Sequence, residues 1–489
     1  MSNDHQTSLK LRLAPLPDVQ HRRTFLSEFA SSLAGIAFTS LLKEDDCLKA
    51  ESTSQNRPLP HHPARAKRVI QIFLGGGLSQ IDSFDYKPAL EHAHGSTLSD
   101  GEMPKTFNQK IGQIHKSFFK FRQRGESGLW VSDLFPKIAK QVDLLTIVRS
   151  MTAFSANHQP AVYQANSGFQ RLGYPSIGSW LSYGLGNETD TLPTFVVIPD
   201  ARILPSSGSG NWSSGFLPTR HQGVMFRSEG EPVKDLHYSQ PEDENLKQAR
   251  LKLLREMNLR HLQRQGSNDL LTARMRSYEL AARMQVSIPK VADLAHETEE
   301  AQRLYGLDRP ECSDFARSCL LSRRLIEQGV RYVQLWSGGN NSSEANWDAH
   351  GNVLENHSRE ALRIDRPVAA LLQDLKRRGL LDDTLVIFNT EFGRTPFTEI
   401  EEGLGTGRDH NHHGFTNWLA GAGLKPGFAF GSTDEIGYKV VEDPVDVHDF
   451  HATVLYLLGI DHERLTFSHN GAERRLTDVS GHVVKEILA

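Results

Sequence analysis

Short apolar runs alternate along the chain with longer segments whose apolar residues recur every three or four positions. Residues 68–74, 144–148, 194–198, 330–336 and 385–388 are rich in Val, Ile, Leu and Phe, as expected of strands buried on both faces. Residues 155–160 (Ser-Ala-Asn-His-Gln-Pro) read as a helix start, with Ser or Asn as cap and Pro in the first turn. Further helices are predicted over 176–184, 315–328, 358–378 and 449–458. Strand and helix alternate throughout, which predicts an α/β fold around one mostly parallel sheet. Residues 241–307 differ: Leu251, Leu254, Met257 and Leu262, then Leu270, Met275, Leu280 and Met284, are spaced along a mixed-charge stretch. That pattern predicts a helical insertion covering the sheet.

The amino terminus stands apart. A polar stretch leads to Arg22-Arg23-Thr24-Phe25-Leu26, followed by a mostly apolar segment over 29–42. The arrangement resembles a twin-arginine export signal over residues 1–45, with 46–66 as linker and 67–489 as the mature domain. The expected location is the periplasm or cell envelope, with the twin-arginine translocation machinery as a transient partner. No apolar run is long enough to anchor the mature chain in a membrane. A net charge of −4 and a pI near 6.6 provide no basic excess for nucleic acid. Of the three cysteines, Cys312 and Cys319 are seven apart on a predicted helix, about 10 Å between Cα atoms and too far for a disulfide. Stability therefore has to come from the core.

Candidate chemistry gathers where predicted strands stop, the place where open α/β sheets bind ligands. Glu391 follows the 385–388 strand, and Asp409, His410, His412 and His413 follow in the next loop. Asp348 and His350 follow the 330–336 strand. His158 opens a helix, and Asp82 comes shortly after Gly75-Gly76-Gly77, glycines suited to a tight turn or close approach. Eight of the 22 histidines fall between His350 and His462, and the Asp-x-His and Asp-His-x-His-His spacings suit a cation held by imidazole and carboxylate. Residues 206–223 form a long Gly/Ser-rich loop, a candidate lid or a disordered segment. Trp212, Trp336 and Trp347 are candidate sugar-stacking platforms or core residues.

The stretches EFGRTP at 391–396 and GRDHN at 407–411, with motifs spread over 67–489, resemble the bacterial family known as domain of unknown function 1501. That family is related to the alkaline phosphatase and sulfatase superfamily. The resemblance implies an alkaline phosphatase-like three-layer sandwich with a divalent metal, zinc, calcium or manganese, at the strand ends. Asp82, Asp348, His350, Glu391, Asp409, His410 and His413 are the implied ligands. Three departures stand out. Glu391-Phe392 replaces the sulfatase Asp-His pair, His158 occupies the position of the Cys or Ser nucleophile, and the triple glycine replaces an acid after the first strand. His158 is thus a metal ligand, a general acid/base, an unusual nucleophile or a pocket residue. The expected function is an exported metal-dependent hydrolase of sulfate or phosphate esters of small molecules or glycans; the alternative is a non-catalytic envelope or glycan-binding protein.

Overall fold

The computed structural model describes residues 60–98, 107, 111–233, 269–339, 345–400 and 404–489, with isolated positions between 249 and 260. The export segment and most of the linker lie outside the described residues. The centre is an eight-stranded sheet made of β1 (Arg68–Leu74), β2 (Leu145–Met151), β3 (Phe195–Ile198), β4 (Val224–Met225), β5 (Tyr332–Ser337), β6 (Thr384–Thr390), β7 (Phe415–Ala420) and β8 (Phe428–Phe430). Their spatial order is β8-β2-β7-β6-β1-β5-β3-β4. Strand β7 runs antiparallel to β2 and β6, and the other paired strands are parallel. The sheet is mixed but mostly parallel, as the alternation of runs predicts.

Residues at alternate positions of the central strands point to opposite faces, and the core divides accordingly. Ile70, Ile72 and Leu74 of β1 join Val386 and Phe388 of β6 in one apolar cluster. That cluster includes Met284 and Ile288 of α3 (Asp269–Ala292), Leu320 of α4 (Ser313–Glu327) and Leu371 of α5 (Val353–Arg377). Val69, Phe73, Leu385 and Ile387 point the other way. They meet Val162 of α1 (His158–Ser167), Trp180 of α2 (Ile177–Leu185) and Val454 of α6 (Val447–Leu457). Helices thus cover both faces of the sheet, and each large apolar side chain buried this way contributes about 1.5–3 kcal/mol. Among the described residues no helix is long and apolar enough to cross a membrane. Cys312 and Cys319 are buried and free.

Five strands lie on the runs predicted from sequence. The other three are β4 and β8, of two and three residues, and β7, where polar Thr416 and Asn417 are buried mid-strand. Asn417 Oδ1 accepts the Thr390 backbone N–H at 3.2 Å, so its carbonyl oxygen is satisfied inside the core. Helix α5 starts five residues ahead of the predicted 358, because Asn352 caps it by accepting the Glu355 N–H at 3.1 Å. The helical reading of 241–307 meets α3 and a shorter helix, Glu299–Tyr305.

A buried amide ladder crosses the sheet. Gln71 of β1 donates Nε2–H to Asn389 of β6 at 3.0 Å, and Gln334 of β5 donates to Gln71 at 2.9 Å and to Asn166 of α1 at 2.6 Å. Each member is nearly solvent-free, where an unpaired amide is costly. The ladder therefore fixes α1 against the strands and, with it, His158 at the helix start.

Candidate metal centre

Four chain segments, together with the start of α1 that carries His158, converge at the carboxyl ends of the parallel strands. The turn after β1 supplies Gly76, the loop after β5 supplies Asp348 and His350, and Glu391 directly follows β6. The fourth is the two-residue strand His410–Asn411, paired with Gly393–Arg394. Gly76 adopts φ +117°, and a Cβ there would stand 2.6 Å from the backbone nitrogens of Trp347 and Asp348. Only glycine lets β1 end that close to the Asp348 backbone. A Cβ on Gly407 would sit 1.5 Å from the His350 carbonyl oxygen, so the loop before His410 presses against His350 in the same way.

Three imidazoles turn the same nitrogen toward one carboxylate. His158 Nε2 lies 3.2 Å from Asp348 Oδ2, and His350 Nε2 and His410 Nε2 lie 2.8 and 3.3 Å from Asp348 Oδ1. The opposite nitrogen of each ring faces an acceptor. His158 Nδ1 meets Glu391 Oε1 at 2.9 Å, His350 Nδ1 meets Glu399 at 2.8 Å, and His410 Nδ1 meets the Ala156 carbonyl at 2.6 Å. A carbonyl only accepts, so His410 carries its proton on Nδ1, whereas His158 and His350 have a carboxylate at each ring nitrogen, an arrangement that favours a proton on both. With the Nε2 protons of His158 and His350 removed, all three rings present an Nε2 lone pair toward the Asp348 carboxylate. His158 Nε2 is buried, and its contact in the cluster is Asp348 Oδ2. Atoms of His158, Asp348, His350 and His410 suitable as ligands all lie within 4.8 Å of one another.

The electrostatics agree with this arrangement. Burial raises the Asp348 carboxyl, but Arg394 and the three histidines outweigh it and hold it well below the usual carboxylate range. Arg394 is itself solvent-free and donates Nη2–H to Asp348 Oδ1 at 2.6 Å and Nε–H to the Gly77 carbonyl at 3.0 Å. Burial depresses the His350 imidazole, yet Asp348 and Glu399 push it up to about 9. Against the same opposition from burial, Asp348 and Glu391 raise His158. Burial dominates at His410 and brings it down to about 3. The field thus favours positive charge at Nε2 of His158 and His350, supplied by a proton or by a cation.

The remaining residues expected to be ligands lie outside this four-residue group. Glu391 is one step removed: it accepts from the Gly76 backbone at 2.7 Å and from His158, and lies behind the ring. Asp409 is in a neighbouring group with Glu399 and His350, and its Oδ1 accepts the His410 N–H at 2.7 Å. Asp82 does not join the cluster. It is solvent-free and paired with Arg408 Nε at 2.9 Å, and its other oxygen accepts from Ser117 and the Phe118 backbone. His413 packs its ring 3.9 Å from His412 and 5.3 Å from Tyr438. Trp212, Trp336 and Trp347 are buried, so they offer no exposed face for stacking a sugar. Reading the sequence passes over Glu399 and Arg394, although Arg394 belongs to the EFGRTP stretch and Glu399 follows three residues later.

The family model described as protein of unknown function (DUF1501) matches residues 66–488. The chain belongs to the DUF1501 family. No curated protein matches this DUF1501 chain. Among solved structures it is similar to the lipoteichoic acid synthase LtaP from Listeria monocytogenes, at 12% identity and a TM-score of 0.36, over 86% of this chain and 78% of that one. The PsFucS1 sulfatase from Pseudoalteromonas sp. matches at 13% identity and a TM-score of 0.35, over 88% and 72%. Alkaline phosphatase from the Antarctic bacterium TAB5 matches at 12% identity and a TM-score of 0.31, over 76% and 96%.

Proposed function

We propose that this DUF1501 protein is an exported, metal-dependent hydrolase of sulfate or phosphate esters, with His158, Asp348, His350 and His410 holding a divalent cation. The observation that carries the reading is the convergence of three histidine Nε2 atoms on Asp348 while an acceptor holds each Nδ1. Outer acceptors of this kind orient imidazole ligands and raise their basicity. His158 Nε2, buried against Asp348 Oδ2, would share the ion with that carboxylate. Three imidazoles with one carboxylate suit zinc; calcium prefers oxygen ligands.

Such a cation supplies Lewis-acid polarisation of an ester oxygen and lowers the pKa of water. The protein's part is placement. Glu391, Glu399 and the Ala156 carbonyl fix the rings, and Arg394 orients the shared carboxylate. His158 is then a ligand, and its position at the helix start sets one edge of the site. The Arg22-Arg23 pair ahead of the apolar segment supports export in folded form.

The test pairs metal stoichiometry with activity on aryl and sugar sulfate and phosphate esters, for wild type and His158→Ala. Wild type is expected to hold the metal and cleave one ester class, and the variant to lose both. Stoichiometric metal with no turnover on any ester contradicts the hydrolase reading and favours a non-catalytic binding protein.

A further inference from the structure

Beside His158 lies a small cleft with room for about one water-sized group. Its walls include the Gly75 and Gly76 turn, Ser206, Glu391 and Trp336 of β5. The indole Nε1 of the lining Trp336 is buried with no hydrogen-bond partner among the described residues, while His158 Nε2 is buried against Asp348 Oδ2. The Trp336 ring is 1% exposed, packed 4.6 Å from Phe73 and 6.3 Å from Trp212. A buried indole N–H ordinarily finds an acceptor. The lining carboxylate is engaged elsewhere: Glu391 accepts from the Gly76 backbone, His158 and Thr390. Trp180 and Trp418 also bury partnerless indole nitrogens, but neither lines this cleft.

We propose that Trp336 is an anion-positioning residue, its Nε1–H donating to one oxygen of a tetrahedral oxyanion, sulfate or phosphate, held beside the His158–Asp348 cluster. The cleft has room for about one oxygen, and His158 lines it together with Trp336. This deepens the ester-hydrolase reading and rests on it for the cation at the cluster. Trp336 explains how the site would hold the transferred group at a wall that carries no charged side chain besides Glu391 and His158.

The experiment titrates the zinc-loaded full chain with inorganic sulfate and, separately, inorganic phosphate by calorimetry, recording zinc content for every sample. Wild type is expected to bind one anion per chain, with the tighter of the two naming the ester class. Trp336→Phe keeps the ring and removes the donor; it is expected to bind about 10-fold more weakly at unchanged zinc content, the loss expected for a hydrogen bond to a charged group. Trp418→Phe, which removes a buried indole N–H from β7, is expected to match wild type. Equal affinity in Trp336→Phe overturns the proposal, as does a zinc-loaded wild type that binds neither anion. If Trp336→Phe does not fold, a sulfate-soaked crystal of wild type decides. An anion oxygen at Nε1 supports the proposal, and a water there overturns it. Trp336-dependent anion binding without bound zinc contradicts the metal reading alone, and bound zinc without it contradicts the role of Trp336 alone.

Discussion

His350 and His410 face each other Nε2 to Nε2 at 2.8 Å, and Asp348 Oδ1 lies within 3.3 Å of both. The Ala156 carbonyl holds the His410 proton on Nδ1, so its Nε2 presents a lone pair. Glu399 draws the His350 proton to Nδ1 in the same way. Two lone pairs at that distance repel unless positive charge lies between them, and the pair therefore requires either a second proton on His350 or a cation.

Glu399 is the clearest test of the outer acceptors. Glu399→Gln keeps the side-chain size but offers His350 Nδ1 a neutral acceptor. Metal affinity, read by competition with a chelator, is expected to fall roughly 10–100-fold with little change in melting temperature. Unchanged affinity removes Glu399 from the account.

Asp82 is expected to matter for stability and not for metal. Its carboxylate neutralises Arg408 where both side chains are solvent-free. Asp82→Asn leaves that guanidinium buried without its counter-charge, which costs about 3–5 kcal/mol in denaturant unfolding. The folded fraction should keep its metal; loss of metal at intact stability would return Asp82 to the ligand set.

The pH dependence follows from His350. In the cation-free protein its imidazole stays protonated up to about 9, and a cation at Nε2 has to displace that proton. Apparent metal affinity is therefore expected to rise by about tenfold per pH unit for each proton displaced between pH 7 and 9, then level off. Titration across that range checks it, and a flat profile contradicts the Nε2 assignment.

Export is expected to follow Arg22 and Arg23. Replacing both with lysine should leave folded protein in the cytoplasm, read by fractionation. Unchanged export shows that another route carries the chain.

Most of the sheet is legible in the sequence because parallel strands buried on both faces read as continuous apolar runs. β7 escapes because its buried Thr416 and Asn417 break the run while satisfying neighbours such as Thr390. At the site, Asp348, His350 and His410 are legible because each follows a strand end or lies in its histidine loop. The acids are legible only in part: Asp348 and Glu391 follow strand ends and meet the histidines, whereas Asp82 and Glu399 are misplaced or missed. Asp82 follows β1 as closely as a ligand would, yet turns to Arg408, a partner 326 residues away. Glu399 lies in a loop with no strand of its own to announce it. Sequence position shows where a strand stops, while side-chain direction beyond that point depends on long-range ion pairs.

The most direct test is X-ray absorption on wild-type protein purified without added chelator, with metal content measured on the same sample. The account predicts about one zinc or comparable divalent ion per chain, surrounded by three imidazole nitrogens and carboxylate oxygen, with both ion and signal lost in Asp348→Ala. Substoichiometric metal in wild type, or an ion whose shell lacks imidazole and survives Asp348→Ala, would contradict it.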